Sequence, residues 1–218
     1  MPIKFRNKIR HLHDTMDILL LYPPVSKPAQ PPAGIAQLKQ AVKASGFSCA
    51  AIDANVEGLH YLLQGNIFAT TPRLRSALKN RDRNLNWIRD ISVYAKFDRY
   101  KAAVLELNRL LMAFSTRSNA SVSFTDFQHN NWLPVRQDDL YAAAEQPQNN
   151  PFFDYFEHVL RWKIEQARPA LIGISLIYLS QALTAFALIG WIVQNFPGIK
   201  LVLVGGRVTS RLRQPQNT

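Results

Sequence analysis

The sequence predicts an α/β fold: a parallel sheet of about four strands with a large, mainly helical insertion after the second strand. Three observations predict it. Short, β-branched apolar runs of the kind buried on both faces occur at 17–22, 48–53, 170–178 and 200–205. Residues at helical spacing, ended by Gly or Pro, join these runs in two pairs. The two pairs are separated by residues 56 to 150, a stretch too long to be a loop of a compact domain.

Asp17-Ile-Leu-Leu-Leu-Tyr22 reads as the first strand, and the proline-rich stretch Pro23 to Gly34 reads as irregular. From Ile35 to Ser45, Ile35, Leu38, Ala41 and Val42 share one helical face, and Gly46 stops the helix. Ser48 to Asp53 forms the second strand, and a right-handed crossover is expected to make the pair parallel. The insertion repeats apolar residues at helix spacing: Leu59, Leu62 and Leu63; Leu85, Ile88 and Ile91; Val104, Leu107, Leu111 and Phe114. Ser115 to Asn150 is a polar, aromatic-dotted section. A helix beginning near Pro151 carries Phe152, Phe156, Val159, Leu160 and Ile164, and leads into the third strand. Ser180-Gln181 is a polar break with a helix-capping residue, a helix follows over 181–196, and Phe196-Pro197-Gly198 stops it before the fourth strand. The arrangement is Rossmann-like, or flavodoxin-like.

No charged residue occurs from Ala170 to Ile199, a gap long enough for a membrane span. Strand, helix and strand signals account for that gap better, so no membrane partner is expected. The net charge is +11, with 11 basic against 4 acidic residues in 73–117 and further clusters at Lys4 to Arg10 and Arg207 to Arg213. A solvated basic surface is the simpler reading. Nucleic acid is disfavoured because no recognised module accompanies the charge. The single thiol, Cys49, excludes a disulfide framework, a Cys-rich zinc site and a self-sufficient iron–sulfur cluster, and fits a cytoplasmic location.

In an open parallel sheet, ligands lie at the carboxyl ends of the strands. Four segments converge there: Pro23–Gly34, Asp53–Asn55, Leu176–Gln181 and Gly205–Gly206. No G-x-G-x-x-G follows the first strand, and G-x-x-x-x-G-K-[ST] and G-x-S-x-G are absent. His11-x-His13 lies in a basic tail and reads as solvated, and His60, His129 and His158 lack carboxylate or cysteine partners at ligand spacing, so no metal ligands are assigned. The positive signals are Ser175, a hydroxyl ending a buried strand, and Gly205-Gly206, which let a ligand approach the backbone closely.

DILLLYPP, PPAGIAQLKQAVKASGF, IDAN, NPFFDYFE, PALIGISLIYLSQA and KLVLVGG, in this order and spacing, resemble the N-terminal cobalamin-binding region of B12-dependent radical SAM enzymes. The resemblance covers most of residues 17 to 210. It implies that Ser175-Leu176-Ile177 and Gly205-Gly206 line a pocket for the nucleotide tail of cobalamin. It also implies that Pro31, Pro32 and Gly34 shape a loop under the corrin and that Tyr178 and Gln181 offer hydrogen bonds. Asp53 and Asn55 are further candidates at the same edge.

Two departures qualify the resemblance. The D-x-H-x-x-G loop that supplies a cobalt-ligating histidine is missing, as is common in the radical SAM subgroup, so the cobalt is expected to lack imidazole ligation. The C-x-x-x-C-x-x-C motif of a radical SAM domain is missing too. A 4Fe–4S cluster and S-adenosylmethionine would therefore belong to a longer parent or a catalytic partner. Against the five-stranded domain of the resembled family, a fifth strand is expected to be missing, since 207–218 carry no apolar pattern.

The expected organisation is a basic tail at 1–16, an incomplete cobalamin-binding α/β domain at 17–55 and 151–210, the insertion at 56–150 and a tail at 211–218. The chain alone is expected to bind cobalamin without catalytic residues of its own, and to self-associate through the edge of the fourth strand. The alternatives are a flavodoxin-like module binding FMN or another flat cofactor, and a basic nucleic-acid or protein interaction module.

Overall fold

The computed structural model describes residues 15–30 and 32–205. The expectations for Pro31, Gly206 and the basic clusters at the two ends lie outside the described residues.

The elements run β1 (Ile18–Leu21), α1 (Ala33–Ala44), β2 (Cys49–Ile52), α2 (Ala54–Gln64), α3 (Pro72–Lys79), α4 (Arg81–Trp87), α5 (Ile91–Tyr94) and α6 (Phe97–Ser115). They continue with β3 (Ala120–Val122), β4 (Phe127–His129), α7 (Gln137–Glu145), α8 (Phe153–Tyr155), α9 (Arg161–Ala167), β5 (Leu171–Leu176), α10 (Ala182–Asn195) and β6 (Lys200–Gly205). A single π-helical turn, Phe156–Leu160, joins α8 to α9.

Four parallel strands form the sheet in the order β2-β1-β5-β6, with the helical insertion between β2 and β5. Leu19 lies beside Ala50 and Ile172, and Ile172 beside Leu201. Side chains alternate across a strand, so these residues share one face with Leu21, Ile174 and Leu203. That face joins α10, α9 and the insertion in the main core. Leu20, Ala51, Gly173 and Val202 share the other face by the same register.

The two β-α-β units step outward in opposite directions from the central β1–β5 pair. Right-handed crossovers then put α1 and α10 on opposite sides of the sheet. Accordingly, Ile35 of α1 packs with Leu20, Tyr22 and Cys49 in a second, smaller cluster, whereas Leu183, Leu188 and Ile192 of α10 belong to the main core. Burying each large apolar side chain is worth about 1.5–3 kcal/mol, which is why these two clusters set the layers. On the α1 side the cover stops short of β6: Val202 is 45% exposed and Lys200 is exposed.

Four expectations change. Helix α1 starts at Ala33, so Gly34 is helical and not part of the irregular loop. Pro32, with φ −73°, leads into the helix without obstructing it, because proline's fixed φ suits a helix start. Ser180 does not cap α10: its Oγ donates to the Val25 carbonyl at 2.8 Å. Ile91 is 85% exposed and does not extend the Leu85–Ile88 face, because Asp90 starts a new turn by accepting from the Ser92 amide at 2.9 Å.

The fourth change concerns the polar section 115–150, which contains an antiparallel hairpin, β3–β4, and helix α7. The Ser115 hydroxyl accepts from the Val122 amide at 2.9 Å, and Asn108 Oδ1 accepts from the Phe124 amide at 2.9 Å. Short polar side chains of α6 therefore anchor the hairpin, a long-range effect with no local signature in the sequence.

Helix α6 is the hub of the insertion, with Leu107, Leu110 and Leu111 fully buried. At the far side of the core, α7 crosses α10 so closely that a Cβ on Gly190 would overlap the backbone carbonyl of Ala144.

Candidate functional site

The strand order reverses between β1 and β5, and in sheets of this kind the crevice outside the strand ends at that point is the usual ligand site. Here the crevice is flanked by the loop after β1 and the turn after β5. Hydrogen bonds link these two segments. Gln181 Nε2 donates to the Pro23 carbonyl at 2.7 Å, while Gln181 Oε1 accepts from the amides of Ile177 and Tyr178, both at 3.0 Å. Gln181 is fully buried, so each of these bonds satisfies a group that would otherwise lose water without compensation.

Asn55 holds the same loop from the other side. Its Oδ1 accepts from the Ser26 amide at 2.9 Å, its Nδ2 donates to the Ser26 carbonyl at 3.0 Å, and its own amide donates to the Tyr22 carbonyl. Asp53 caps α2, its Oδ1 accepting from the Val56 amide at 3.0 Å. Burial raises the Asp53 carboxyl above its ordinary value, against the lowering effect of the helix amides.

The predicted residues therefore separate into two groups. Asn55 and Gln181 are committed to holding the loops and Asp53 to capping α2. Ser175, Tyr178, Gly205, Pro32 and Gly34 remain open to a ligand. Tyr178 is 43% exposed, and a Cβ added to Gly34 would meet nothing within 4 Å. Ser175 is 7% exposed, and its hydroxyl has no hydrogen-bond partner among the described residues. Leu176 and Gly205 are register partners, which brings the Ser175-Leu176-Ile177 strand end directly beside the end of β6.

Two further residues belong to this edge. Ser26 is 3% exposed, and its Oγ is buried without a hydrogen-bond partner among the described residues. Tyr22 is buried at the end of β1, and burial raises its phenol above the ordinary value, with Ser26, Tyr178, Asp53 and Gln181 all close enough to influence it. An aromatic hydroxyl placed immediately before the prolines was the one sequence signal for Tyr22.

Two hollows are lined largely by residues of the insertion. One, of about 350 Å³, is polar and lies between the hairpin and the region after α7, where His129 stacks on Trp132 at 4.2 Å. The other, of about 450 Å³, lies between the loop after β1 and the insertion. Among the described residues, no group of three or more His, Cys, Asp or Glu side chains is placed to hold a metal ion. No helix among them is long and apolar enough to cross a membrane.

The class that fold and site define is an α/β protein with a four-stranded parallel sheet, a helical insertion and a switch-point crevice. No family model, curated protein or solved structure matches the chain.

Proposed function

We propose that this chain is a cobalamin-binding module of the kind found in B12-dependent radical SAM enzymes, taking the corrinoid at the carboxyl edge of the sheet without a lower-axial histidine. The observation that carries the reading is the pairing of the two strand ends: the unpartnered hydroxyl of Ser175 sits on the strand next to Gly205, where no side chain obstructs an incoming ligand. A nucleotide tail needs such a slot, with a hydrogen-bonding group on one wall and bare backbone on the other.

In this reading Ser175 bonds the tail, Tyr178 bonds the corrin periphery, and Pro32 and Gly34 border the lower face. Gln181 and Asn55 act at one remove, by fixing the loops that carry the contacts. Bound cobalamin supplies a cobalt centre able to carry a methyl group. The radical chemistry, with its 4Fe–4S cluster and S-adenosylmethionine, belongs to a catalytic partner or to a further region of the polypeptide, because the single Cys49 is buried in β2 and cannot form a cluster site.

Hydroxocobalamin titration followed by the visible spectrum and equilibrium dialysis tests the reading. Retained corrinoid, weakened at least tenfold by Ser175→Leu with an unchanged melting temperature, is the expected result. No retention at high micromolar cobalamin overturns it. Co-purified yellow flavin supports the FMN alternative instead, and salt-dependent binding of generic RNA or DNA the nucleic-acid one.

A further inference from the structure

We propose that the cavity between the loop after β1 and the insertion is a binding site for a small amphipathic carboxylate, its apolar body enclosed by α2, α4 and α6 and its acid group held at the rim by Lys27 and Arg89. It does not rest on the corrinoid reading, because none of the residues lining this hollow is assigned to the cofactor.

The volume of about 450 Å³ lies within the range of roughly 300–1,000 Å³ typical of small-molecule sites. Its depth is apolar: Leu59 is 2% exposed, Leu63 1% and Leu85 6%, and Val104, Ile88 and Phe124 complete the wall. The polar groups gather at the mouth, a distribution that orients an amphiphile with its head outward.

The charge at that mouth has one sign. Lys27 and Arg89 both line it and are exposed, no acidic residue lines the cavity, and neither cation forms an ion pair among the described residues. Of the acids that neighbour these positions in sequence, Glu57 accepts from Tyr155 and pairs with Lys163, and Asp90 accepts from the Ser92 amide. Burial, and then Arg89, lower the pKa of His60 on the same wall, which favours its neutral form. An anion entering the mouth therefore meets a lining whose formal charges are positive, and a cation meets repulsion.

Isothermal titration of the full chain with decanoate and decyltrimethylammonium below their micelle thresholds, and with decanol below its solubility limit, tests the proposal. The expected result is one-to-one decanoate binding, at least tenfold weaker binding of the cation, and about a threefold to fourfold gain for each methylene added from hexanoate to decanoate. Arg89→Ala combined with Lys27→Ala should weaken decanoate about tenfold while leaving decanol unchanged. Val56→Trp, at an exposed position of the mouth, should abolish both. Thermal melts of these surface variants establish that the fold is retained. Absent decanoate binding, equal affinity for the two charges, or binding indifferent to Val56→Trp in folded protein would each overturn the proposal.

Discussion

Gln181 Nε2 donates to the carbonyl of Pro23 at 2.7 Å, joining residues 158 positions apart across the point where strand order reverses. The same side chain accepts from two backbone amides of its own turn, so one buried amide group aligns both loops that flank the crevice.

Gln181→Ala leaves two amide donors and one carbonyl without their partner. A loss of about 2–4 kcal/mol is expected, given about 1–3 kcal/mol for each buried group left unsatisfied and partial rescue by water. Urea denaturation of the two proteins measures it, and a difference below about 0.5 kcal/mol, the usual scale of surface substitutions, would show that the loops are held by other contacts.

Glu57 accepts from the Tyr155 phenol at 2.9 Å and pairs with Lys163 at 2.6 Å, linking α2 to the helical segment that follows Pro151. The two partners differ in consequence. Tyr155 is fully buried, so Glu57→Ala strands its hydroxyl and should cost about 1–3 kcal/mol. Lys163 is partly exposed, so Lys163→Ala should cost less than about 1 kcal/mol. Equal losses in the two variants would contradict this division.

Burial first, and the neighbouring Glu57 carboxylate second, hold the Tyr155 phenol far above its ordinary value of 10.0. The unfolded chain therefore releases this proton at a pH where the native state keeps it. Stability is full below pH 10 and falls as pH rises beyond it, by up to about 1.4 kcal/mol per pH unit for one proton. Tyr155→Phe should flatten the alkaline limb of the stability curve by about one proton, which denaturant melts between pH 8 and about pH 11.5 resolve.

At Gly190 an added Cβ meets the backbone of Ala144, which cannot swing aside as a side chain end can. Gly190→Ala should therefore destabilise by about 1–3 kcal/mol through overpacking, despite the better helix propensity of alanine. A rise in melting temperature would mean that α7 can shift away from α10 at little cost.

Among the described residues β6 pairs only with β5, and Val202 is 45% exposed on a face that no helix covers there. Such an edge is a template for strand pairing. Concentration-dependent association by sedimentation velocity is expected, and Val202→Lys should reduce it. A single monomeric species across the micromolar range would remove the edge as a self-association surface.

How much was legible in the sequence follows from the range of each signal. The apolar runs at β1, β2, β5 and β6, the helices between them and the long insertion were readable because burial on a sheet or helix face repeats with a local period. The residues of the edge were readable as positions: Ser175 and Gly205 close their strands, and Tyr178, Asp53 and Asn55 follow theirs. Their division into loop-holding and open residues was not, because the partners of Asn55 and Gln181 lie far away in the chain. Ser180 illustrates the difference: locally it has the chemistry of a cap, yet its hydroxyl goes to Val25.

The sequence by itself determined that this protein is an α/β molecule with paired parallel strands, a helical insertion and small or polar residues at the strand ends. Only the tertiary structure decided the order β2-β1-β5-β6, the link from Gln181 to Pro23 and the cavity under the loop after β1. The reason is physical. Periodicity records which side of its own element a residue faces, whereas strand neighbours, long-range hydrogen bonds and enclosed space exist only once separate elements are brought together.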